Sequence, residues 1–177
     1  MLRVHVVVGN PKAESRTAMI ATRVAEALAP AGTELSVIDL ANHANRIFDW
    51  PSDEMSELND AVAGSDLLIV ASPTYKASYT GLLKAFFDRY PNLGLDGVVA
   101  VPVMTGGDPK HAMGLEMHLR PLLVELGAVV PTSGLYFLMS DMAELTSIIE
   151  GWVAGARTRL SVHLPAVLEG VREHTHS

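Results

Sequence analysis

Three short segments rich in Gly, Pro, Ser and Thr contain the residues best suited to chemistry. They are GNPKAESRT at 9–17, SPTYKAS at 72–78 and TGG at 105–107. An anion beside the first segment would gain from its cationic side chains and from the free backbone N–H groups at the start of a helix. A planar ring could stack on Tyr75 of the second segment. Together the segments predict a site for a flat, phosphorylated ligand.

Each segment also has a simpler interpretation. Ser15 is a typical helix cap, so the first segment could be a solvated loop in which this serine only closes the helix. Tyr75 could pack on the protein surface. The first segment lacks the GxxxxGK[ST] and GxGxxG patterns, which argues against an NTPase or a permanently bound dinucleotide. Two cations, Lys12 and Arg16, beside several hydroxyl groups favour phosphate.

Length and composition limit the classes of protein. The 177 residues predict one domain over 1–177, with a polar tail after about residue 170 that we expect to be frayed. A net charge of −7 without a basic stripe argues against nucleic-acid binding. The absence of cysteine excludes disulfides, thiolate catalysis and Cys-ligated metals, so redox chemistry would need a cofactor. The first apolar run is too short to span a membrane, and we expect a cytoplasmic protein.

The hydrophobic pattern alternates between strands and helices. Strands are predicted at 4–8, 35–40, 66–72 and 97–104, with a fifth at either 129–130 or 134–138. Helices are predicted from Ser15 to the break at Pro30, over 52–63 with Ser52 as cap, over 79–89, over about 109–126, and after a capping Asp141. This order of elements predicts how the residues of the three segments are positioned.

Alternating strands and helices indicate an α/β fold, because each crossover helix must pack back onto a parallel sheet. Five strands predict a flavodoxin-like three-layer sandwich whose parallel sheet has the order 2-1-3-4-5. Ligands of such sheets bind at the carboxyl ends of the strands, where the winding direction reverses. The three segments follow strands one, three and four, so we expect them to meet there.

The stretch SPTYKASYTGLLKAFFD at 72–88, together with GNPKAESRT and TGG, resembles the NAD(P)H-dependent FMN reductase family. The resemblance is nearest to the reductases that supply reduced flavin to alkanesulfonate-type two-component monooxygenases, and it spans nearly the whole chain. It implies FMN as the flavin and NADPH, or NADH, as the hydride donor. Because the cofactors perform this chemistry, we assign no catalytic side chain and no metal ligand.

The resemblance also implies site residues. Around the FMN phosphate it places Asn10, Lys12, Ser15, Arg16 and Thr17. Along the flavin ring and ribityl chain it places Pro73, Thr74, Tyr75 and Lys76, and on the far side of the ring Thr105, Gly106 and Gly107. Asn10 and Lys12 stand where many relatives carry serine and arginine, which implies fewer bidentate phosphate contacts.

The resemblance further implies that a π-bulge, which some relatives have at a subunit interface, governs whether flavin leaves or stays. The candidate residues here are Met117 and His118, and the sequence leaves open whether the bulge forms, although Pro121 lacks the N–H that a regular helix needs. The apolar helix surfaces at 82–87 and 113–123 predict a homodimer or homotetramer that buries them.

Other functions share these features. One is a quinone or azo-type reductase with resident FMN, and another is a non-enzymatic flavodoxin-like electron carrier. A regulatory domain of the same fold without flavin is a third, because fold alone does not fix function. For NADPH, the 2′-phosphate would contact Lys12, Lys76 or Lys110.

Overall fold

A computed structural model describes residues 2–165. Its strands form one parallel sheet in the order β2-β1-β3-β4-β5, which confirms the predicted topology. The strands are β1 (Arg3–Val8), β2 (Glu34–Asp39), β3 (Leu67–Pro73), β4 (Val99–Gly106) and β5 (Leu135–Leu138). The tail after about residue 170, for which we predicted fraying, lies outside the described residues.

Helices cover both faces of the sheet. They are α1 (Arg16–Leu28), α2 (Asp53–Ala63), α3 (Gly81–Phe87), α4 (Arg120–Glu125) and α5 (Leu145–Leu160). Val6 points towards a core built with α1 and α5, whereas its neighbour Val7 points towards a second core built with α2, α3 and α4. Successive strand residues face opposite sides, so both faces of the central strands are buried.

A side-chain hydroxyl group caps the N-terminus of each of the first three helices. The Ser15 hydroxyl accepts a hydrogen bond from the Ala18 N–H at 3.2 Å, and Ser52 caps α2 in the same way. Both predicted caps are therefore confirmed. The predicted cap at Asp141 is wrong, because Asp141 lies in a 3-10 segment and accepts a hydrogen bond from Ser140 Oγ at 2.6 Å. Helix α5 begins four residues later without a side-chain cap.

The region after β4 differs most from the prediction. Thr105 and Gly106 belong to β4, so this strand extends two residues beyond its predicted end at 104 and the loop begins at Gly107. The helix predicted over 109–126 is divided into a 3-10 turn (Pro109–His111), a π-helical segment (Leu115–Leu119) and α4. The fifth strand is the later of the two alternatives, and Val129 forms only an isolated bridge with Val99.

Within residues 2–165, none of the helices combines the length and the apolar character needed to cross a bilayer.

Candidate functional site

A cleft of about 380 Å³ lies at the carboxyl edge of the sheet, where β1, β3 and β4 end side by side. Ten of the twelve predicted site residues line it: Asn10, Lys12, Ser15, Arg16, Thr17, Pro73, Thr74, Tyr75, Thr105 and Gly106. Lys76 and Gly107 are the neighbours of lining residues and do not line it themselves. Glu14 and Met139 line it and were not predicted.

The turn after β1 presents positive charge and free N–H groups to the cleft. The side chains of Lys12 and Arg16 are exposed, and neither forms an ion pair with a residue in 2–165. In the same part of the chain, the backbone N–H groups of Arg16 and Thr17 have no hydrogen-bond partner. The helix dipole adds partial positive charge at this end of α1. The turn therefore suits an anion.

Two other residues of this turn are bonded within the protein. Asn10 Oδ1 accepts from the Lys12 N–H at 3.0 Å, and Asn10 Nδ2 donates to Thr17 Oγ1 at 3.3 Å. Thr17 Oγ1 lies 2.8 Å from Thr105 Oγ1, and both threonines are 2% exposed. The turn is thus connected through buried hydroxyl groups to the end of β4.

The loop after β3 is a tight hairpin turn. The Tyr75 N–H donates to the Ser78 carbonyl at 2.8 Å, and the Ser78 N–H donates back at 3.1 Å. Lys76 and Ala77, between them, have left-handed backbones with φ of 51° and 66°. Tyr75 as a whole residue is 53% exposed and lines the cleft, where a planar ligand could stack on its ring.

Ser72 and Thr80 hold this loop to the turn after β1. The Thr80 hydroxyl donates to the Gly9 carbonyl, and the Thr80 N–H donates to Ser72 Oγ at 3.0 Å. The same hydroxyl accepts from the Leu83 N–H at 3.1 Å and so caps α3. Sequence reasoning missed both residues, although a threonine directly before an apolar helical pattern is a recognisable capping signal.

At the end of β4 the backbone itself forms the cleft wall. A Cβ atom on Gly106 would overlap the Tyr136 hydroxyl, which donates to the Asp108 carbonyl at 3.0 Å. Asp108 also accepts from Lys110 at 2.7 Å, and this hydrogen bond lowers the pKa of Asp108 and raises that of Lys110. Lys110 is therefore already paired, unlike Lys12.

The cleft suits a phosphorylated flavin in its donor set and its shape. One end offers cations and N–H groups, the middle offers an exposed aromatic ring, and the far end offers backbone. Thr74 Oγ1 in the cleft wall is buried and has no hydrogen-bond partner within residues 2–165. A buried hydroxyl without a partner is costly, and a ligand with polar edges could pair with it.

A parallel 2-1-3-4-5 sheet with its cleft between the ends of β1 and β3 defines the flavodoxin-like class of α/β proteins. The family model described as NADPH-dependent FMN reductase matches residues 2–142. The chain belongs to this family, as its resemblance implied.

Relatives and a solved structure agree with this membership. The NADH-dependent FMN reductase SfnF of Pseudomonas putida is 35% identical over 143 residues, which are 77% of each chain. The FMN reductase (NADPH) of Escherichia coli K12 is 33% identical over 132 residues, covering 72% of this chain and 68% of the relative. The apo crystal structure of NADH:FMN oxidoreductase (EMOB) superposes with a TM-score of 0.78 at 32% identity, covering 91% and 90% of the two chains.

The π-helical segment occupies the position that the resemblance implied, and it includes both Met117 and His118. Its first turn lies against the hairpin after β3, since a Cβ atom on Gly114 would stand 2.5 Å from the Ala77 carbonyl oxygen. Met113 and Met117 are 69% and 63% exposed. This region therefore packs against the hairpin that carries Tyr75 and presents exposed methionines to solvent.

An ion pair ties this segment to the chain before β5. Arg120 donates to the Glu116 carboxylate and to the carbonyls of Val130 and Thr132, and Glu116 accepts from the Gly134 N–H at 2.9 Å. The hydrogen bond from Arg120 holds the pKa of Glu116 below its usual range.

The other apolar surface that we predicted a second subunit would cover, at 82–87, is not exposed in this way. Leu83, Phe86 and Phe87 of the 82–87 stretch are buried in the chain's own core. The prediction that this stretch needs a partner is therefore wrong. The apolar pattern of α3 faces inward, whereas Met113 and Met117 of the 113–123 stretch are exposed.

Proposed function

We propose that this protein is an NAD(P)H-dependent FMN reductase that binds FMN in the cleft at the carboxyl edge of the sheet. One observation carries the proposal: three loops that are far apart in sequence converge there with a cationic turn, an exposed tyrosine and a backbone wall. Family membership and the names of the relatives support the same reaction.

The turn after β1 would hold the phosphate. Lys12 and Arg16 neutralise its charge, and the N–H groups at the start of α1 donate to its oxygens. Ser15 only accepts in its helix cap, so its hydroxyl proton is free to donate to the same anion. Tyr75 and Thr74 would border the flavin ring, and Gly106 lets the backbone of β4 approach it closely.

When both cofactors are bound, hydride passes from the nicotinamide to the flavin, which is the cofactors' own chemistry. The chain binds and orients the two rings, and Tyr75 and the end of β4 define the two sides between which they lie. We assign no side chain as an acid or a base for this hydride transfer, and no side chain as a metal ligand.

We further propose that FMN is a diffusing substrate that is released for a flavin-dependent monooxygenase. The π-helical segment beside the hairpin and the 53% exposure of Tyr75 support an open site. The alternative is a resident flavin that serves a quinone or azo acceptor, and a second alternative is an electron carrier that does not oxidise nicotinamides.

Purification and one titration test this proposal. We expect a colourless protein after dialysis, and oxidation of NADPH or NADH that depends saturably on added FMN when the nicotinamide absorbance is followed. A yellow protein with near-stoichiometric FMN, whose rate of nicotinamide oxidation does not depend on added FMN, would support the resident-flavin alternative. A protein that stabilises a one-electron flavin but oxidises neither nicotinamide would support the carrier.

The names of the relatives include both nicotinamides, since SfnF is called NADH-dependent and the Escherichia coli relative NADPH-dependent. We propose NADPH here, with Lys12 or Lys76 as the partner of its 2′-phosphate, because Lys110 is paired with Asp108. Replacing Lys76 with alanine should then raise KM for NADPH and leave KM for NADH almost unchanged. An equal change for both nicotinamides would contradict this role.

We also propose a cytoplasmic homodimer or homotetramer that buries the exposed surface of Met113, Met117 and Val124. The exposed methionines around the π-helical segment support this arrangement. Light scattering at micromolar concentration tests it, and a strictly monomeric mass would contradict it.

A further inference from the structure

Asn10, Thr17 and Thr105 form a chain of hydrogen bonds in the cleft wall. Asn10 Nδ2 donates to Thr17 Oγ1 at 3.3 Å, and Thr17 Oγ1 is 2.8 Å from Thr105 Oγ1. Thr17 and Thr105 are 88 positions apart in sequence, so the chain joins the turn after β1 to the end of β4. In the sheet, β3 lies between these two strands, so the chain links two strand ends that are not neighbours.

The polar groups of this chain are used within the protein. Both ends of the Asn10 amide are bonded, since its Oδ1 accepts from the Lys12 N–H at 3.0 Å. Thr17 and Thr105 are each 2% exposed, which leaves their hydroxyl groups almost no surface for a ligand. Lys12 and Arg16 differ from them, because both side chains are exposed at the same turn.

We propose that Asn10, Thr17 and Thr105 are positioning residues that fix the phosphate-binding turn relative to β4, and that neither Asn10 nor Thr17 contacts the phosphate through its side chain. This inference rests on the proposed function. Asn10 Oδ1 shapes the turn by holding the Lys12 N–H, and the Thr17–Thr105 bond keeps that turn at one distance from the opposite wall. The chain thereby contributes to the preference for FMN over flavins without a phosphate.

The test measures binding of oxidised FMN and of riboflavin, which lacks the phosphate, by quenching of flavin fluorescence without any nicotinamide. The quantity of interest is the ratio of the two dissociation constants. Thr17→Val and Thr105→Val each remove one hydroxyl with little change in volume. Thr17→Ser and Thr105→Ser are matched controls that keep the hydroxyl, and Thr→Ala variants replace any valine variant that does not unfold cooperatively.

We expect each valine variant to lower the FMN preference, Thr105→Val by roughly threefold to tenfold for one hydrogen bond and Thr17→Val by at least as much, because it also removes the acceptor for Asn10. The double variant should lose no more than Thr17→Val alone, because both changes break the Thr17–Thr105 bond. Each serine variant should keep the preference within about a factor of two of the unsubstituted protein. Thr105→Val is decisive, since Thr105 belongs to β4 and not to the phosphate turn.

Three results would overturn the proposal. If only Thr17→Val lowers the FMN preference, Thr17 is a phosphate ligand. If Thr105→Val weakens FMN and riboflavin by the same factor, Thr105 contacts the common part of the flavin instead. Additive losses in the double variant would show that the two hydroxyl groups act separately.

The unsubstituted protein separates this inference from the function on which it rests. If that protein binds FMN no more tightly than riboflavin, the phosphate site itself is wrong and this inference falls with it. A clear FMN preference that the valine variants leave unchanged overturns only the positioning role.

Discussion

The turn after β1 lines the cleft, and the helical segment after β4 packs on the hairpin that follows β3; the two regions are held in place differently. The turn combines local contacts, such as Asn10 with Lys12 and Ser15 with Ala18, with the distant bond between Thr17 and Thr105. The segment after β4 depends on distant residues, because Gly114 packs on Ala77 and Arg120 bonds to Thr132. Local contacts make a structure that can be predicted from sequence, whereas distant contacts can override helix propensity.

The end of β4, where the second region begins, should tolerate substitution least. Gly106→Ala would place its Cβ atom on the Tyr136 hydroxyl, and we expect a loss of about 2–3 kcal/mol of unfolding free energy from this overpacking. Gly107→Ala is the matched control, because nothing lies within 4 Å of its added Cβ. Urea unfolding measures both variants, and equal stabilities would contradict the packing.

In the turn after β1, the largest effect should be on binding. Arg16→Ala removes an exposed cation from the proposed phosphate site, and we expect FMN affinity to fall by about 1.5–3 kcal/mol. Arg23→Ala is the control on the same helix, since Arg23 is exposed and pairs with Glu26 outside the cleft. Unchanged FMN affinity in Arg16→Ala, measured by flavin fluorescence, would remove this residue from the site.

The contact between the π-helical segment and the hairpin can be tested in the same way. Gly114→Ala brings a Cβ atom to 2.5 Å from the Ala77 carbonyl oxygen, so the segment or the hairpin must move. We expect a loss of about 1–3 kcal/mol in unfolding free energy. Gly151→Ala in α5 has open space and should instead gain up to about 1 kcal/mol from helix propensity. A stable Gly114→Ala variant with normal FMN binding would show that the two parts are independent.

The smallest expected effect is electrostatic. Arg120 lowers the folded-state pKa of Glu116, so their pairing stabilises the fold fully above the unfolded pKa near 4.3 and is lost as the pH falls through the lowered folded value. Because the Glu116 side chain is 43% exposed, we expect Glu116→Gln to cost less than about 1 kcal/mol at pH 7. Denaturation at a series of pH values should show this difference shrinking in acid, and a difference that grows there would contradict the assigned sign.

Much of the fold could be predicted from local signals. Ser15 and Ser52 mark helix starts because a hydroxyl that accepts from an N–H three residues later is a property of the sequence itself. The continuous helix over 109–126 was wrong because Pro121 and the distant partners of Arg120 favour a different backbone. The fifth strand stayed ambiguous because 129–130 and 134–138 are both short apolar runs.

Parts of the candidate site that depend on local signals were predicted, whereas parts that depend on distant contacts were missed. The three loops could be placed together because parallel strands bring their carboxyl ends to one edge. Met139 was missed because it follows β5, whose position was open. Glu14 was missed because it has a left-handed backbone, with φ of 51°, at a position where the sequence has no glycine to indicate that conformation. The bond between Thr17 and Thr105 was missed because the two residues are 88 positions apart and no local pattern relates them.

The strand order also sets a length scale for any ligand. β3 lies between β1 and β4, and neighbouring strands are about 4.8 Å apart, so the two outer strand ends are separated by roughly 10 Å. A molecule held at both ends must bridge that gap, and no side-chain exchange alters it. Selection for a much shorter or longer compound would therefore have to act on the loops that project beyond the sheet, since the backbone ladder keeps its width.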